Sequence, residues 1–452
     1  MFALVDCDSF YVSCERLFDP SLEGRAVVVL SGPNGCVVSR SLEAKSLGVR
    51  VGDPWFKARE LPGMRQARAL HANFEVYGDV SRRVMQALSR FGHPMATYSI
   101  DEAFVLLPDR MGASARAEWA RQAARACFAC GAPVSIGVGS TKTRAKLSSN
   151  FAKPASGGSG FFDWADHEAR EPAKLAARLA RTPTGDVWGV GPAAAAKLEG
   201  LGASDVAAML EIDFSTLKRH GTVTLERVGR ELRGELVHAL SGDEGPPASI
   251  ERTRTFERPV PSSEELGGWL SSFAEAASFQ LRAKGLLAAR AEIFIGTHPM
   301  DRASAPRQAR SALDLASPTD DSLLLSSLCS RALALAHEPG YAYRRAGLRL
   351  WGLAPNPAAR VPAARPLELF DVWAPGSRIP AMDGASMGGA APPAASQTPE
   401  LGTRAALMAA MDAINGRYGK GAVRVASARP APVGGRARPG TRLSEVLVAR
   451  AQ

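Results

Sequence analysis

Over the first 165 residues, short apolar runs alternate with longer helical periodicities. Ala3 to Val5 and Ala26 to Leu30 are continuous apolar stretches, and Val134-Ser-Ile-Gly-Val138 alternates apolar with small or polar positions. Each predicts a strand. Asp79 is placed to cap a helix whose Val80, Val84, Leu88 and Phe91 share one face. Ala115 to Ala129 carries a second, Ala- and Arg-rich helical pattern. This alternation predicts an α/β layer around a buried sheet. From 166 to 240 the strand-like runs stop, and short helical patterns are broken by Gly189-Val-Gly-Pro192, Gly200-Leu-Gly202 and His220-Gly221. Asp243-Glu-Gly-Pro-Pro247 reads as a linker. Strands return at Glu292 to Ile295 and Arg345 to Trp351, with a Leu-rich helix at Ser322 to Ala336. Residues 374–400 hold five Pro, four Gly and seven Ala, too little to build a core, and read as a flexible tether. A last helical segment runs from Ala405 to Tyr418.

The 452 residues, 46% of them apolar, suffice for two to four domains at about 100–200 residues each. Lys and Arg total 55 against 45 Asp and Glu, a formal charge of +10. That excess favours a polyanionic partner, nucleic acid or an anionic membrane surface. Arginines cluster at 252/254/258, 302/307/310 and 344/345/349, where they can build one positive face. A mean hydropathy of −0.08 with 22% charged residues excludes a wholly disordered chain and a polytopic membrane protein. Met1 to Val5 meets Asp6 too soon for a signal peptide. Six cysteines are too sparse for a disulfide framework, and Cys127-Phe-Ala-Cys130 has no second pair to complete a zinc site. The expectation is a soluble protein of a reducing compartment, the cytoplasm.

Three acidic residues stand where acids are costly. Asp6 ends the apolar run Phe2 to Val5, and Asp101-Glu102 interrupts the strand-like Tyr98 to Leu107. Carboxylates at the ends of core strands need a partner or a cation. Neighbours on a flat strand face opposite ways, so Asp101 and Glu102 share a site only if the chain bends between them. Converging carboxylates describe a Mg²⁺ site; acids that merely end strands at the surface are the alternative.

Asp6-Cys-Asp-Ser-Phe-Tyr-Val-Ser-Cys-Glu15, Tyr98-Ser-Ile-Asp-Glu-Ala-Phe104 and Ser135-Ile-Gly-Val-Gly139 resemble the palm motifs of Y-family translesion DNA polymerases. Val27-Val-Val-Leu-Ser31, Gly35-Cys-Val37, Leu47-Gly-Val49, Gly52-Asp-Pro-Trp-Phe-Lys57 and Asp186-Val-Trp-Gly-Val-Gly191 resemble the UmuC branch of that family. The resemblance runs from residue 1 to about 373 and weakly to 428. It implies a multidomain α/β right-hand polymerase: a palm at 1–165 with small fingers inserted at about 20–75, and a helical thumb with a helix-hairpin-helix at 166–240. An α+β little finger follows at 246–355, then a clamp-binding-like peptide at 365–373, the 374–400 linker and a small C-terminal domain at 401–452.

The implied activity is template-directed, error-prone synthesis in the SOS response, by attack of a primer 3′-hydroxyl on a dNTP with two Mg²⁺ ions. By the same resemblance Asp6, Asp101 and Glu102 hold the metals, with the Cys7 carbonyl on the second. Asp8 is left without a metal role. Tyr11 is the steric gate against a ribose 2′-hydroxyl. Phe10, Tyr11, Ser39, Lys45 and Lys153 meet the nucleotide, although Leu42 stands where many relatives carry Tyr. Thr141 to Lys146 offers donors to primer phosphates. Gly189, Gly191 and Lys197 contact DNA phosphates, with the arginines at 227, 230 and 233 adding charge, and Arg252 and Arg254 bind DNA from the little finger. Leu367, Leu369 and Phe370 would fill a pocket on the sliding clamp, with Pro366 in place of the usual Gln. Implied partners are primer-template DNA, dNTPs, the clamp, a cleaved UmuD dimer and RecA, in a nucleoid-associated bacterial setting. Two readings compete. An inactive DNA- and clamp-binding accessory protein on this fold would lack the acidic constellation; a nucleotidyl cyclase would have no use for a hairpin thumb.

Overall fold

The computed structural model describes residues 1–32, 35–240, 247–297, 307–357, 401–419 and 421–428. Two compact units are formed, on residues 1–243 and 244–434. The division falls in the predicted linker, of which 243–246 lie outside the described residues. So do the clamp-like peptide with Leu367, Leu369 and Phe370, the 374–400 tether, and residues 429–452.

The first unit opens with β1 (Phe2–Cys7), α1 (Phe10–Phe18), β2 (Val27–Leu30), β3 (Val37–Arg40), α2 (Leu42–Ser46), α3 (Trp55–Ala58) and β4 (Arg68–His71). There follow α4 (Phe74–Ser89), β5 (Met95–Thr97), β6 (Glu102–Leu106), α5 (Ala113–Ala129), β7 (Val134–Gly139), α6 (Lys142–Ala152) and β8 (Phe161–Asp163). Strand β1 is the middle of a five-stranded sheet ordered β5-β6-β1-β7-β8, antiparallel to both neighbours and buried along its whole length. Burial of each large side chain such as Leu4 contributes about 1.5–3 kcal/mol. A smaller sheet, β3-β2-β4, closes its own core of Val28, Leu30, Val37, Ala44, Val49, Ala58 and Met64.

Two expectations are corrected here. Asp79 does not cap α4: the helix starts five residues earlier, where Asn73 accepts from the Val76 N–H, and Asp79 instead pairs with Arg82 and Arg83. Nor is 98–107 one strand. Residues 98–101 form the turn of the β5–β6 hairpin, with the Tyr98 N–H donating to the Glu102 carbonyl at 2.9 Å.

The helical stretch comprises α7 (Trp164–Arg170), α8 (Pro172–Leu179), α9 (Pro192–Gly200), α10 (Val206–Glu211), α11 (Phe214–Thr216) and α12 (Val223–Leu232). Its core is continuous with Leu147 and Phe151 of α6 and Phe162 of β8, so it is braced on the sheet layer.

The second unit runs β9 (Ser249–Val260), α13 (Ser263–Ala283), β10 (Leu286–Gly296), β11 (Gln308–Thr319), α14 (Ser322–Ala336) and β12 (Tyr343–Pro355). Its antiparallel sheet, ordered β11-β10-β12-β9, carries both helices on one face. The last helix, α15 (Leu401–Tyr418), groups with this unit. Met408, Met411 and Val425 bury themselves with Leu323 of α14, and Arg282 of α13 grips Asp412 with two hydrogen bonds of 2.7 and 2.8 Å. Among the described residues, no helix is long and apolar enough to cross a membrane.

Candidate active site

The hairpin turn brings the acidic residues together. Asp6 is the register partner of Glu102, so their Cα atoms are about 5 Å apart and their side chains share a face. Asp101 lies in the turn just before β6, where its carbonyl accepts from the Cys7 N–H at 2.9 Å. The chain therefore bends between Asp101 and Glu102. Ser99 Oγ donates to Asp101 Oδ1 at 2.5 Å and holds that carboxylate in the turn.

Helix α6 supplies counter-charges. Lys146 Nζ reaches Glu102 at 2.7 Å and Lys153 Nζ reaches Asp6 at 2.8 Å. Seven residues are about two helical turns, so both lysines leave the same side of the helix region. The helix can lie this close to β7 only because Gly137 and Gly139 lack side chains. A Cβ at 137 would fall 1.9 Å from the Ser149 nitrogen, and one at 139 would fall 2.6 Å from the Ala145 nitrogen.

Asp6 is 6% exposed, and its carboxyl is pushed up to about 7, chiefly by burial. Lys153 opposes that rise; the nearby Glu102 and Asp101 carboxylates add to it. Among the described residues no three His, Cys, Asp or Glu side chains are gathered closely enough to ring a metal ion. Asp6, Asp101 and Glu102 are bonded to Lys153, Ser99 and Lys146 respectively. Asp8 points elsewhere and accepts from Ser135 Oγ at 2.9 Å.

After β1 the chain turns sharply through Ser9, whose φ of 47° puts a non-glycine residue in the left-handed region. Helix α1 then begins with the two rings. Phe10 is 3% exposed, within the hydrophobic core. Tyr11 is half-buried and stacks on Tyr77, with centroids 4.6 Å apart and planes at 15°. Phe74, an exposed ring at the start of α4, meets Tyr11 edge-on at 5.7 Å. Tyr77 in turn donates to Glu15 Oε1 at 2.7 Å. Neither Phe74 nor Tyr77 was expected from the motifs; two rings three residues apart, just after the helix-capping Asn73, are the signal that could have found them.

Ser39 is buried in β3, and Lys45 is exposed on α2. Arg16 of α1 binds both oxygens of Glu43, at 3.0 and 3.1 Å, and so ties α2 to the helix that carries Tyr11.

In the helical stretch, Gly191 is the N-cap of α9, and Gly189 takes a φ of 86° that favours glycine. Both glycines and Lys197 are exposed. The expected phosphate donors of 141–146 are engaged within the protein here. Thr141 and Thr143 bond Glu231, Lys142 and Arg144 donate to the Leu240 and Leu232 carbonyls, and Lys146 holds Glu102. Arg230 is likewise held by Glu226 and Glu235, and Arg233 by the Leu210 and Ile212 carbonyls. Arg227 is exposed.

In the second unit, Arg252 and Arg254 face the helices and not the open side of the sheet. Arg252 bonds Gln280, and Arg254 lies 4.4 Å over the Trp269 ring, both on α13. Strand alternation puts Arg290, Arg310, Arg345 and Arg349 on the helix-free face, around Phe294. Arg302 lies outside the described residues.

Solved Y-family DNA polymerases share this fold. A Y-family Dbh–Dpo4 chimera superposes with a TM-score of 0.61 over 79% of this chain and all of its own, at 19% identity. The insertion ternary complex of Dbh DNA polymerase gives 0.52 over the same shares. The impB/mucB/samB family profile matches residues 5–150, its C-terminal domain profile matches 247–361, and a domain of unknown function matches 405–433. Protein UmuC of Salmonella typhimurium is 34% identical over 379 residues, covering 83% of this chain and 87% of its own. Protein ImpB of the same organism is 32% identical, with 80% and 84% covered. The chain belongs to the impB/mucB/samB family of Y-family DNA polymerases.

Proposed function

We propose that the chain carries out template-directed, error-prone translesion DNA synthesis in the SOS response to DNA damage, by nucleotidyl transfer from a dNTP to a primer 3′-hydroxyl. The observation that carries this reading is the pairing of Asp6 with Glu102 across β1 and β6, with Asp101 in the adjoining turn. An accessory protein would have no use for three acids concentrated at the end of a buried strand.

The donor set fits Mg²⁺. Oxygen ligands from a strand end and the adjoining turn suit a hard cation, and Asp6 and Glu102 are register partners on one face with Asp101 beside them. Asp6, Asp101, Glu102 and the Cys7 carbonyl would hold two ions. When bound, these supply Lewis acidity to the attacking hydroxyl and the leaving pyrophosphate. The chain's own residues then bind and exclude. Tyr11, held by Tyr77, fills the space of a 2′-hydroxyl, while Lys45 and Lys153 neutralise triphosphate charge with Ser39 nearby.

In this reading residues 1–165 are the palm with fingers at about 20–75, 166–240 the thumb and 246–355 the little finger. Gly189, Gly191 and Lys197 grip duplex phosphates without reading sequence. The sliding clamp, a cleaved UmuD dimer and RecA are proposed partners by family likeness, in the bacterial cytoplasm. Primer extension with Mg²⁺ and dNTPs tests the assignment. Asp101→Asn should lower insertion by about a thousandfold, the loss of several kcal/mol of charge stabilisation, and leave primer-template binding in place. Full extension by that variant would overturn it.

A further inference from the structure

The turn that carries Asp101 is bonded to the helical stretch through one pair of aromatic residues. Trp188 stands immediately before the Gly189–Gly191 turn, and its indole N–H donates to the Tyr98 hydroxyl oxygen at 2.9 Å. The two rings meet edge-to-face, with centroids 5.8 Å apart and planes at 89°. Tyr98 is the first residue of the acidic turn, whose backbone N–H closes on the Glu102 carbonyl. Lys146 lies 4.5 Å over the Tyr98 ring while its ammonium holds Glu102. One side chain thus touches the glycine turn's tryptophan and the counter-ion of Glu102, and its backbone closes the loop of Asp101.

Burial does not require this bond. Tyr98 is 47% exposed, so water could satisfy its hydroxyl as well as the indole does. What the bond provides is a fixed orientation between two segments with different tasks. Trp188 is itself seated against His238 at 5.5 Å and Phe104 at 6.4 Å, so the indole cannot swing freely.

We propose that Trp188 and Tyr98 are a positioning pair, through which a duplex held at the Gly189–Gly191 turn orients the carboxylates of Asp101 and Glu102. The proposal rests on the polymerase reading above. It makes the insertion step depend on a residue pair that touches neither nucleotide nor metal.

A double-mutant cycle on the full chain tests it, with wild type, Tyr98→Phe, Trp188→Phe and the double variant. Both substitutions keep a ring and remove one half of the hydrogen bond. Single-nucleotide insertion is measured at saturating primer-template and dNTP, with duplex Kd from fluorescence anisotropy and Tm from thermal unfolding. Each single variant should insert about three- to tenfold more slowly, the worth of one hydrogen bond. Duplex Kd and Tm should stay within twofold and about 2 °C, and the double variant should be no slower than the slower single. Losses that multiply in the double variant would overturn the proposal. So would losses confined to duplex Kd, or a Tm that falls in step with the rate. Wild-type extension that Asp101→Asn abolishes keeps the polymerase reading standing whichever way the cycle falls, whereas a wild type unable to extend a primer overturns both.

Discussion

Gly137→Ala is the substitution whose consequence follows most directly from the geometry. A Cβ at this position would lie 1.9 Å from the Ser149 nitrogen, 2.4 Å from the Ala145 carbonyl oxygen and 2.5 Å from the Ser148 carbonyl carbon. All three are backbone atoms of α6, so no rotamer change relieves the clash. Restoring ordinary contact at 3.4 Å needs a shift of 3.4 − 1.9, or about 1.5 Å, between the helix and β7. Overpacking of this kind costs about 1–3 kcal/mol, or more when backbone must move. For a unit of this size that is about 2–4 °C of Tm per kcal/mol. The same shift carries Lys146 and Lys153 away from Glu102 and Asp6, to which they now lie at 2.7 and 2.8 Å. Thermal unfolding and primer extension, run beside Gly200→Ala as a control with nothing within 4 Å of its Cβ, are the assays. Gly137→Ala should lose both stability and insertion, while Gly200→Ala loses neither. A Gly137→Ala protein with wild-type Tm and rate would refute the claim that glycine sets the spacing of α6.

Further outcomes are expected. Tyr11→Ala should raise the rNTP-to-dNTP incorporation ratio by at least about tenfold, as a lost steric gate requires; an unchanged ratio would remove that role from Tyr11. Tyr77→Phe keeps the ring under Tyr11 but loses the bond to Glu15, so it should cost about 1 kcal/mol of stability and leave sugar selection intact. Asp412→Arg sets two cations together at Arg282 and should make 401–428 sensitive to limited proteolysis; Arg282→Asp in the same chain should restore protection. Chelation with EDTA should stop primer extension without releasing the duplex, and added Mg²⁺ should restore it.

Strands β1, β2 and β7 and helices α5 and α14 were legible because each is a compact run with one unambiguous period. Helix α14 begins at Ser322, where Asp321 accepts from the Leu323 and Leu324 N–H groups. Strands β9 and β11 were not, because charged and apolar residues mix along half-exposed strands, and Gly267-Gly268 hid the 21-residue helix α13. Asp79 imitated a cap through its charge; its true partners, Arg82 and Arg83, lie one turn further on. The acidic cluster was legible only through its motifs. Nothing local in Tyr98 to Phe104 says that the chain turns before Glu102, since the turn is closed by the Tyr98 and Ser99 N–H groups bonding the Glu102 carbonyl. Strand parity was equally silent for Arg252 and Arg254: which side of β9 faces α13 is decided by Ile250 and Phe256 entering the core.

The central claim is that Asp6, Asp101 and Glu102 together hold divalent cations beside the reacting groups. Anomalous scattering from Mn²⁺, in crystals of the full chain with primer-template and an incoming dNTP, tests it most directly. The expected result is manganese bonded to oxygens of all three carboxylates, with Lys153 withdrawn from Asp6. Manganese absent from that strand end, with Lys153 still on Asp6 and Lys146 still on Glu102, would contradict it.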